Sequence, residues 1–296
     1  MKFKKSILIF ISLILLYSCK TLSQSTTGYK IEIITTTATH GVATDKNDNV
    51  YTFYRAGRGW EPEAKETLIP PVILKYSKEG KLIDSIGAGI FVLPHMITID
   101  NKGNIWAVDV ALQQILKLDN NGKILLRLGE KFSAGSDSLH FNLPTDIAFL
   151  KDNSFYISDG YGNSRVVKFS KNGKWQYSWG KKGDQPGEFD IPHSISVFNK
   201  KVLVADRENS RLQIFDFKGK FITQLNVKDK VGRLFAVTAD KKGRLYLTGD
   251  KGTTMLNPDL QEIKTWSEKG HDIAVDSKGV IYIVGGGGFK KISPLR

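Results

Sequence analysis

Short apolar runs alternating with polar positions, and separated by Gly, Asn and Asp turns, recur along residues 29–296. Val, Ile, Tyr and Phe dominate them and no stretch holds a 3.6-residue period, so the chain predicts strands and turns rather than helices. Six segments align as one unit, a strand ending in Asp or a similar residue, a polar turn, and a second strand ending in a small residue with Asp or a close substitute. They are HGVATDKNDNVYTFYR, HMITIDNKGNIWAVD, TDIAFLKDNSFYISDG, HSISVFNKKVLVADR, FAVTADKKGRLYLTGD and HDIAVDSKGVIYIVGG. Four are followed by two further strand-like runs, as in QILKLD and KILLRLG, which gives four strands per unit. The expectation is an all-β fold, a six-bladed β-propeller. The sixth unit has only three strands, and its fourth is assigned to YKIEII at 29–34, an N-terminal strand that closes the ring and leaves no sheet edge open. Blade one carries the insertion AGRGWEPEAKETLIP before its third strand.

In such a ring the first strand of every blade lines the central channel. The residues opening the first strands, His40, His95, Thr145, His193, Phe235 and His271, therefore gather at one end of it. His95, His193 and His271 belong to blades two, four and six, about 120° apart, and can converge on the axis. Three neutral imidazoles with no cysteine nearby are a zinc-type ligand set that leaves a position open for water or substrate. His40 is either a fourth ligand or a neighbour. The loops after the second strands bring Arg55, Asp109, Tyr161 and Arg207 to the same face. Singly, each has a plainer reading, with Asp capping a turn, DGYGNSR serving as a Gly-rich turn and Arg sitting in solvent. Around a metal, a Tyr and two Arg suit an anionic substrate and a proton transfer.

The N-terminus changes the expected address. MKFKKSILIFISLILLYSC has a basic start, an apolar run too short to span a bilayer comfortably and a lipobox ending at Cys19, so residues 1–18 read as a bacterial lipoprotein signal peptide. Cys19 is then the lipidated first mature residue, residues 19–28 a flexible tether, and 29–296 the propeller, held at the cell envelope through a lipid anchor. Cys19 is the only cysteine, which excludes an internal disulfide. The formal charge of +13 falls to +10 once Lys2, Lys4 and Lys5 leave with the signal (43 − 3 = 40 basic against 30 acidic residues). For an exported protein that charge points to anionic lipids or acidic ligands, with no nucleic acid as partner.

The strings LPHMITIDNKGNIWAVDVALQQILKLD, GSDSLHFNLPTDIA, YISDGYGNSRVVKFS, IPHSISV and VADRENSRLQIF resemble the peptidyl-α-hydroxyglycine α-amidating lyases (peptidylamidoglycolate lyases), which are NHL-repeat propellers. The likeness runs from about Gly41 to Ile292. It implies a zinc ion on His95, His193 and His271. It also implies a structural calcium ion on the Asp272 carboxylate and the carbonyls of Val42 and Ile97, with Tyr161 and Arg55 as essential residues and Arg207 as a second active-site arginine. The two disulfides of animal members are absent, their positions holding Asn142 with Gly162 and Leu203 with Ile214. Where the family has Met-Pro before the last ring histidine, this chain has Lys269-Gly270. Lys269 either presents a cation to the site or turns outward, and Gly270 loosens the backbone that proline would hold.

The expected function is therefore a zinc-dependent carbon–nitrogen lyase that splits a peptidyl- or acyl-α-hydroxyglycine into an amide and glyoxylate, with Tyr161 as a phenolate base and the protein a monomer. Two alternatives stand beside it, a non-catalytic envelope propeller that binds peptides or glycans and a metal-dependent lactonase-like hydrolase. The latter kind of site usually relies on acidic ligands.

Overall fold

The computed structural model describes residues 23–26 and 28–295. It is a six-bladed β-propeller of six antiparallel sheets. The first strands of blades one to six are Gly41–Thr44, Pro94–Ile99, Asp146–Phe149, Pro192–Phe198, Leu234–Ala239 and Asp272–Val275. The N-terminal strand Tyr29–Thr35 pairs antiparallel with the last strand, Gly288–Pro294, and closes blade six. Ser23–Thr26, expected to belong to a flexible tether, instead adds a fifth, outermost strand to that sheet, with Thr26 opposite Tyr29. One four-residue helix, Lys228–Val231, precedes blade five. Among the described residues no helix is long and apolar enough to cross a membrane. Cys19 and the signal segment lie outside the described residues.

The repeat has a physical origin. Asp45, Asp100, Asp240 and Asp276 end first strands, and each accepts amide hydrogens from the turn that follows. Each carboxylate also takes the ring O–H or N–H of an aromatic six residues later, from Tyr51, Trp106, Tyr246 and Tyr282 respectively. The same aromatics are almost fully buried. One Asp thus closes the turn and fixes the ring that packs between blades.

A second recurring device locks the loops around the channel mouth. In blade three the buried Asp159 pairs with Arg165 (Nε–Oδ2 2.9 Å), and Arg165 reaches the carbonyls of Ser136, Asp137 and His140 in the incoming loop. In blade four Asp206 pairs with Arg211 (2.7 Å), and Arg211 reaches the carbonyls of Asp184, Gln185 and Glu188. Charges this deeply buried persist because every guanidinium nitrogen has an acceptor.

Candidate metal centre and mouth

The rings of His95, His193 and His271 form a nearly equilateral triangle, with centroids 4.8 to 4.9 Å apart and planes 71 to 81° to one another. One ligand atom from each lies within 4.8 Å of the others. The odd blades hold these rings in place. His95 Nδ1 lies 2.7 Å from the Thr145 carbonyl, His193 Nδ1 2.7 Å from the Phe235 carbonyl, and His271 Nδ1 2.8 Å from the His40 carbonyl. A carbonyl only accepts, so every Nδ1 carries the hydrogen and every Nε2 presents a lone pair to the axis.

Burial pushes all three imidazoles toward the neutral form, His95 and His193 well below the ordinary range and His271 to about 4. The Tyr161 hydroxyl lies 2.9 Å from His95 Nε2 and 3.0 Å from His193 Nε2. It has one hydrogen for two lone pairs. Three convergent lone pairs that one hydroxyl cannot satisfy could take a cation, and the residues fit zinc on chemistry and spacing. The carbonyls that orient the Nδ1–H groups complete the outer shell that metal-binding histidines need.

His40 is not part of the triangle. Its ring packs edge-on against His271 (5.5 Å), its Nδ1 is buried without a partner, and burial, with Arg55 and His271 nearby, lowers its pKa. Asp109, expected at the same face, is fully buried and caps the amides of Val92, Leu93 and Leu112. It shapes the turn and does not reach the mouth. Arg55 is buried, with Nε donating to the Pro94 carbonyl (2.8 Å), one residue before His95. Arg207 lies over the Tyr161 ring (5.2 Å) and within 3.4 Å of its hydroxyl, and its Nε donates to Glu208 (2.8 Å). Burial pushes the Tyr161 phenol up, and Arg207 and Arg55 pull it down less strongly.

Tyr161 reaches the axis because its turn is one residue longer than the matching turn of blade four. Five residues lie between Asp159 and Arg165, against four between Asp206 and Arg211. Gly160 makes the turn possible, since a Cβ there would lie 2.2 Å from the Pro192 carbonyl.

Lys269 is exposed and makes no hydrogen bond or ion pair among the described residues. Gly270 is not a loosening but a close-packed point, where a Cβ would lie 2.4 Å from Ile283 Cγ2 and 2.8 Å from Thr248 Oγ1. A proline there would also lose the Gly270 N–H bond to the Gly249 carbonyl (3.3 Å).

Further along the first strands, Val42, Ile97 and Asp272 line one channel cavity of about 440 Å³. The Asp272 carboxylate accepts the amides of Val42 and Ile273 (both 2.8 Å). The same cavity contains Asp146, which sequence reasoning missed. The signal was present, since Thr145-Asp146-Ile147-Ala148 repeats His271-Asp272-Ile273-Ala274. Burial pushes both carboxyls up, Asp146 to about 7 and Asp272 well above its ordinary value with the Asp146 charge adding to the effect. Two buried carboxylates with so few donors suit a hard, oxygen-binding cation.

A family model described as a 6-bladed beta-propeller matches residues 135–246. The chain is 36% identical over 276 residues to the probable peptidyl-alpha-hydroxyglycine alpha-amidating lyase pgal-1 of Caenorhabditis elegans, covering 82% of this chain and 78% of that protein. It is 32% identical over 280 residues to the peptidyl-glycine alpha-amidating monooxygenase B of Xenopus laevis, where the match takes 82% of this chain but spans only 32% of that longer protein. Among solved structures it resembles a gluconolactonase of Xanthomonas campestris (TM-score 0.69, 13% identity, 90% of each chain). It also resembles the virginiamycin B lyase of Staphylococcus aureus (TM-score 0.58, 17% identity, 90% of this chain and 100% of that one). At those identities the likeness is one of fold. Gly162 N donates to the Asn142 carbonyl and Leu203 pairs across strands with Ile214. The chain belongs to the peptidyl-α-hydroxyglycine α-amidating lyase family.

Proposed function

We propose that this protein is a zinc-dependent lyase that cleaves an acyl- or peptidyl-α-hydroxyglycine, R–CO–NH–CH(OH)–COO⁻, into R–CO–NH₂ and glyoxylate. The observation that carries the reading is the triangle of imidazole lone pairs with the Tyr161 hydroxyl across two of them. His95, His193 and His271 would hold zinc, which when bound supplies Lewis acidity toward the substrate's oxygen and a positive field beside the phenol.

The other roles belong to the chain. Arg207, the more open of the two guanidinium groups, receives the substrate carboxylate, where a planar fork suits two parallel hydrogen bonds. Tyr161 takes the hydroxyl proton. The carbonyl of glyoxylate forms as the C–N bond breaks, the electron pair goes to the amide nitrogen, and the same phenol returns the proton there. Base action requires the phenolate, whose ordinary pKa is about 10. Arg207, Arg55 and a cation on the Nε2 atoms all favour it, against burial. In the channel, Asp272 with Val42 and Ile97, and Asp146 across from it, would hold a structural calcium ion. Lipidation at Cys19 at the bacterial envelope, and action as a monomer, complete the proposal.

The test is glyoxylate release from α-hydroxyhippurate by the purified zinc-loaded protein. Benzamide and glyoxylate released in equal amounts support the reading, and no glyoxylate release overturns it.

A further inference from the structure

The blade-one insertion leaves a large aromatic side chain in the open next to the proposed reacting centre. Trp60 is 49% exposed, yet its ring lies 4.7 Å from that of Tyr161 and the Arg55 guanidinium lies 5.6 Å over it. The insertion is pinned at its flanks. Arg58 donates to the carbonyls of Glu66 (2.6 Å) and Val92 (2.9 Å), and the Leu68 amide donates to the Phe91 carbonyl (2.7 Å). The indole is therefore held at the mouth by backbone anchors rather than by burial, and half its surface stays available to a ligand. Packing against Tyr161 does not require that exposure.

From this arrangement we infer that Trp60 is the wall of a subsite for the acyl group of the substrate, selecting aromatic or large apolar groups on the carbonyl next to the scissile nitrogen. The inference rests on the lyase reading and extends it to substrate choice. Trp60 belongs to blade one and Arg207 to blade four, which face each other across a six-membered ring, and both lie against Tyr161. The carboxylate and the acylamino arm leave the same carbinol carbon in different directions. With the carboxylate at Arg207 and the hydroxyl at Tyr161, the acyl arm extends toward blade one and meets the indole. Arg55 does not compete for the carboxylate, because it is buried whereas Arg207 is partly open. An aromatic acyl group stacks on indole with well-defined geometry, whereas an acetyl group is too small to cover it.

The experiment compares kcat/KM for N-benzoyl- and N-acetyl-α-hydroxyglycine in the wild type, Trp60→Ala and Trp60→Phe. The expected wild-type preference is for benzoyl, falling about tenfold in Trp60→Ala and largely restored in Trp60→Phe. An equal loss on both substrates would make Trp60 a cover for Tyr161, and an unchanged ratio would remove it from the substrate path. Either result overturns the inference. If the wild type releases no glyoxylate from either substrate, the lyase reading itself fails. The subsite is then read separately by calorimetric titration with N-benzoylglycine and N-acetylglycine, where a benzoyl preference that Trp60→Ala does not reduce overturns the subsite as well.

Discussion

Blades three and four are built on the same plan and present different side chains at the channel mouth. Each has a buried Asp–Arg pair gripping the incoming loop, Asp159 with Arg165 and Asp206 with Arg211, and an Asn in the turn bonded to that Asp and to a glycine carbonyl of the loop. Blade four opens with His193, which faces the axis through Nε2. Blade three opens with Thr145, which contributes its carbonyl to His95 and its hydroxyl to the Pro192 carbonyl (2.8 Å), just before His193. Blade three's longer turn sends Tyr161 over the axis, and blade four's shorter one leaves Arg207 beside it. The scaffold is carried by what the blades share, and the chemistry by one changed ring residue and one added turn residue.

The largest break in this comparison is His193→Ala, which makes the ring position of blade four as unable to ligate as that of blade three. Two imidazoles do not make a zinc site, so elemental analysis should find the metal lost and turnover should vanish with it. Retained zinc would remove His193 from the ligand set. Next is Tyr161→Phe, which deletes only the oxygen that blade three adds. The thermal transition should be preserved while kcat falls by about 10²–10⁴, and unchanged kcat would disqualify Tyr161 as the base.

Third, Arg165→Met strikes the clamp that both blades share. It leaves the buried Asp159 charge uncompensated, at a cost of about 3–5 kcal/mol read from the urea transition. Zinc binding should survive if refolded protein is compared, since no ligand is touched. Thr145→Val is milder and sharpens the dependence of one blade on the other. It leaves the Pro192 carbonyl without its hydroxyl partner, for about 1–3 kcal/mol of stability, and should weaken zinc binding by about tenfold through His193. Competition with a chelator measures the shift.

The smallest effect concerns the loops that the clamps hold. In blade three His140 bonds Asp137 (2.8 Å) and Glu130 (2.8 Å), while in blade four the matching positions carry the opposite arrangement, Glu188 with Lys181 (3.1 Å). The Asp137 and Glu130 carboxylates raise the His140 pKa above its ordinary 6.5. The contribution is therefore complete below pH 6.5 and is lost as pH rises through the higher folded value. Proteolysis within residues 130–140 should quicken slightly on raising the pH across that range, cleavage near 181–188 should not, and His140→Gln should abolish the difference.

The same contrast explains what the sequence made legible. A ligand that occupies one defined place in a repeat, such as His95, His193 or His271, can be found by aligning the copies, and so can the closure by Tyr29–Thr35. The carbonyls of Thr145, Phe235 and His40 could not be found that way, because every residue has one and only geometry selects these. Asp146 was legible by the same alignment as Asp272 and was passed over. Asp109 ends the second strand of its blade, as Asp159 and Asp206 end theirs, and three amide donors turn it inward rather than to the mouth. Trp60 lies in an insertion with no counterpart in the other blades, so the repeat gave no information about it.

The central claim is that three imidazoles from alternate blades hold one zinc ion, and X-ray absorption at the zinc edge of the purified protein tests it most directly. The account predicts about one zinc per chain with three histidine nitrogens at roughly 2.0–2.1 Å and a further light ligand. A zinc shell without histidine scattering, or a protein that takes up no zinc when supplied with it, would contradict it.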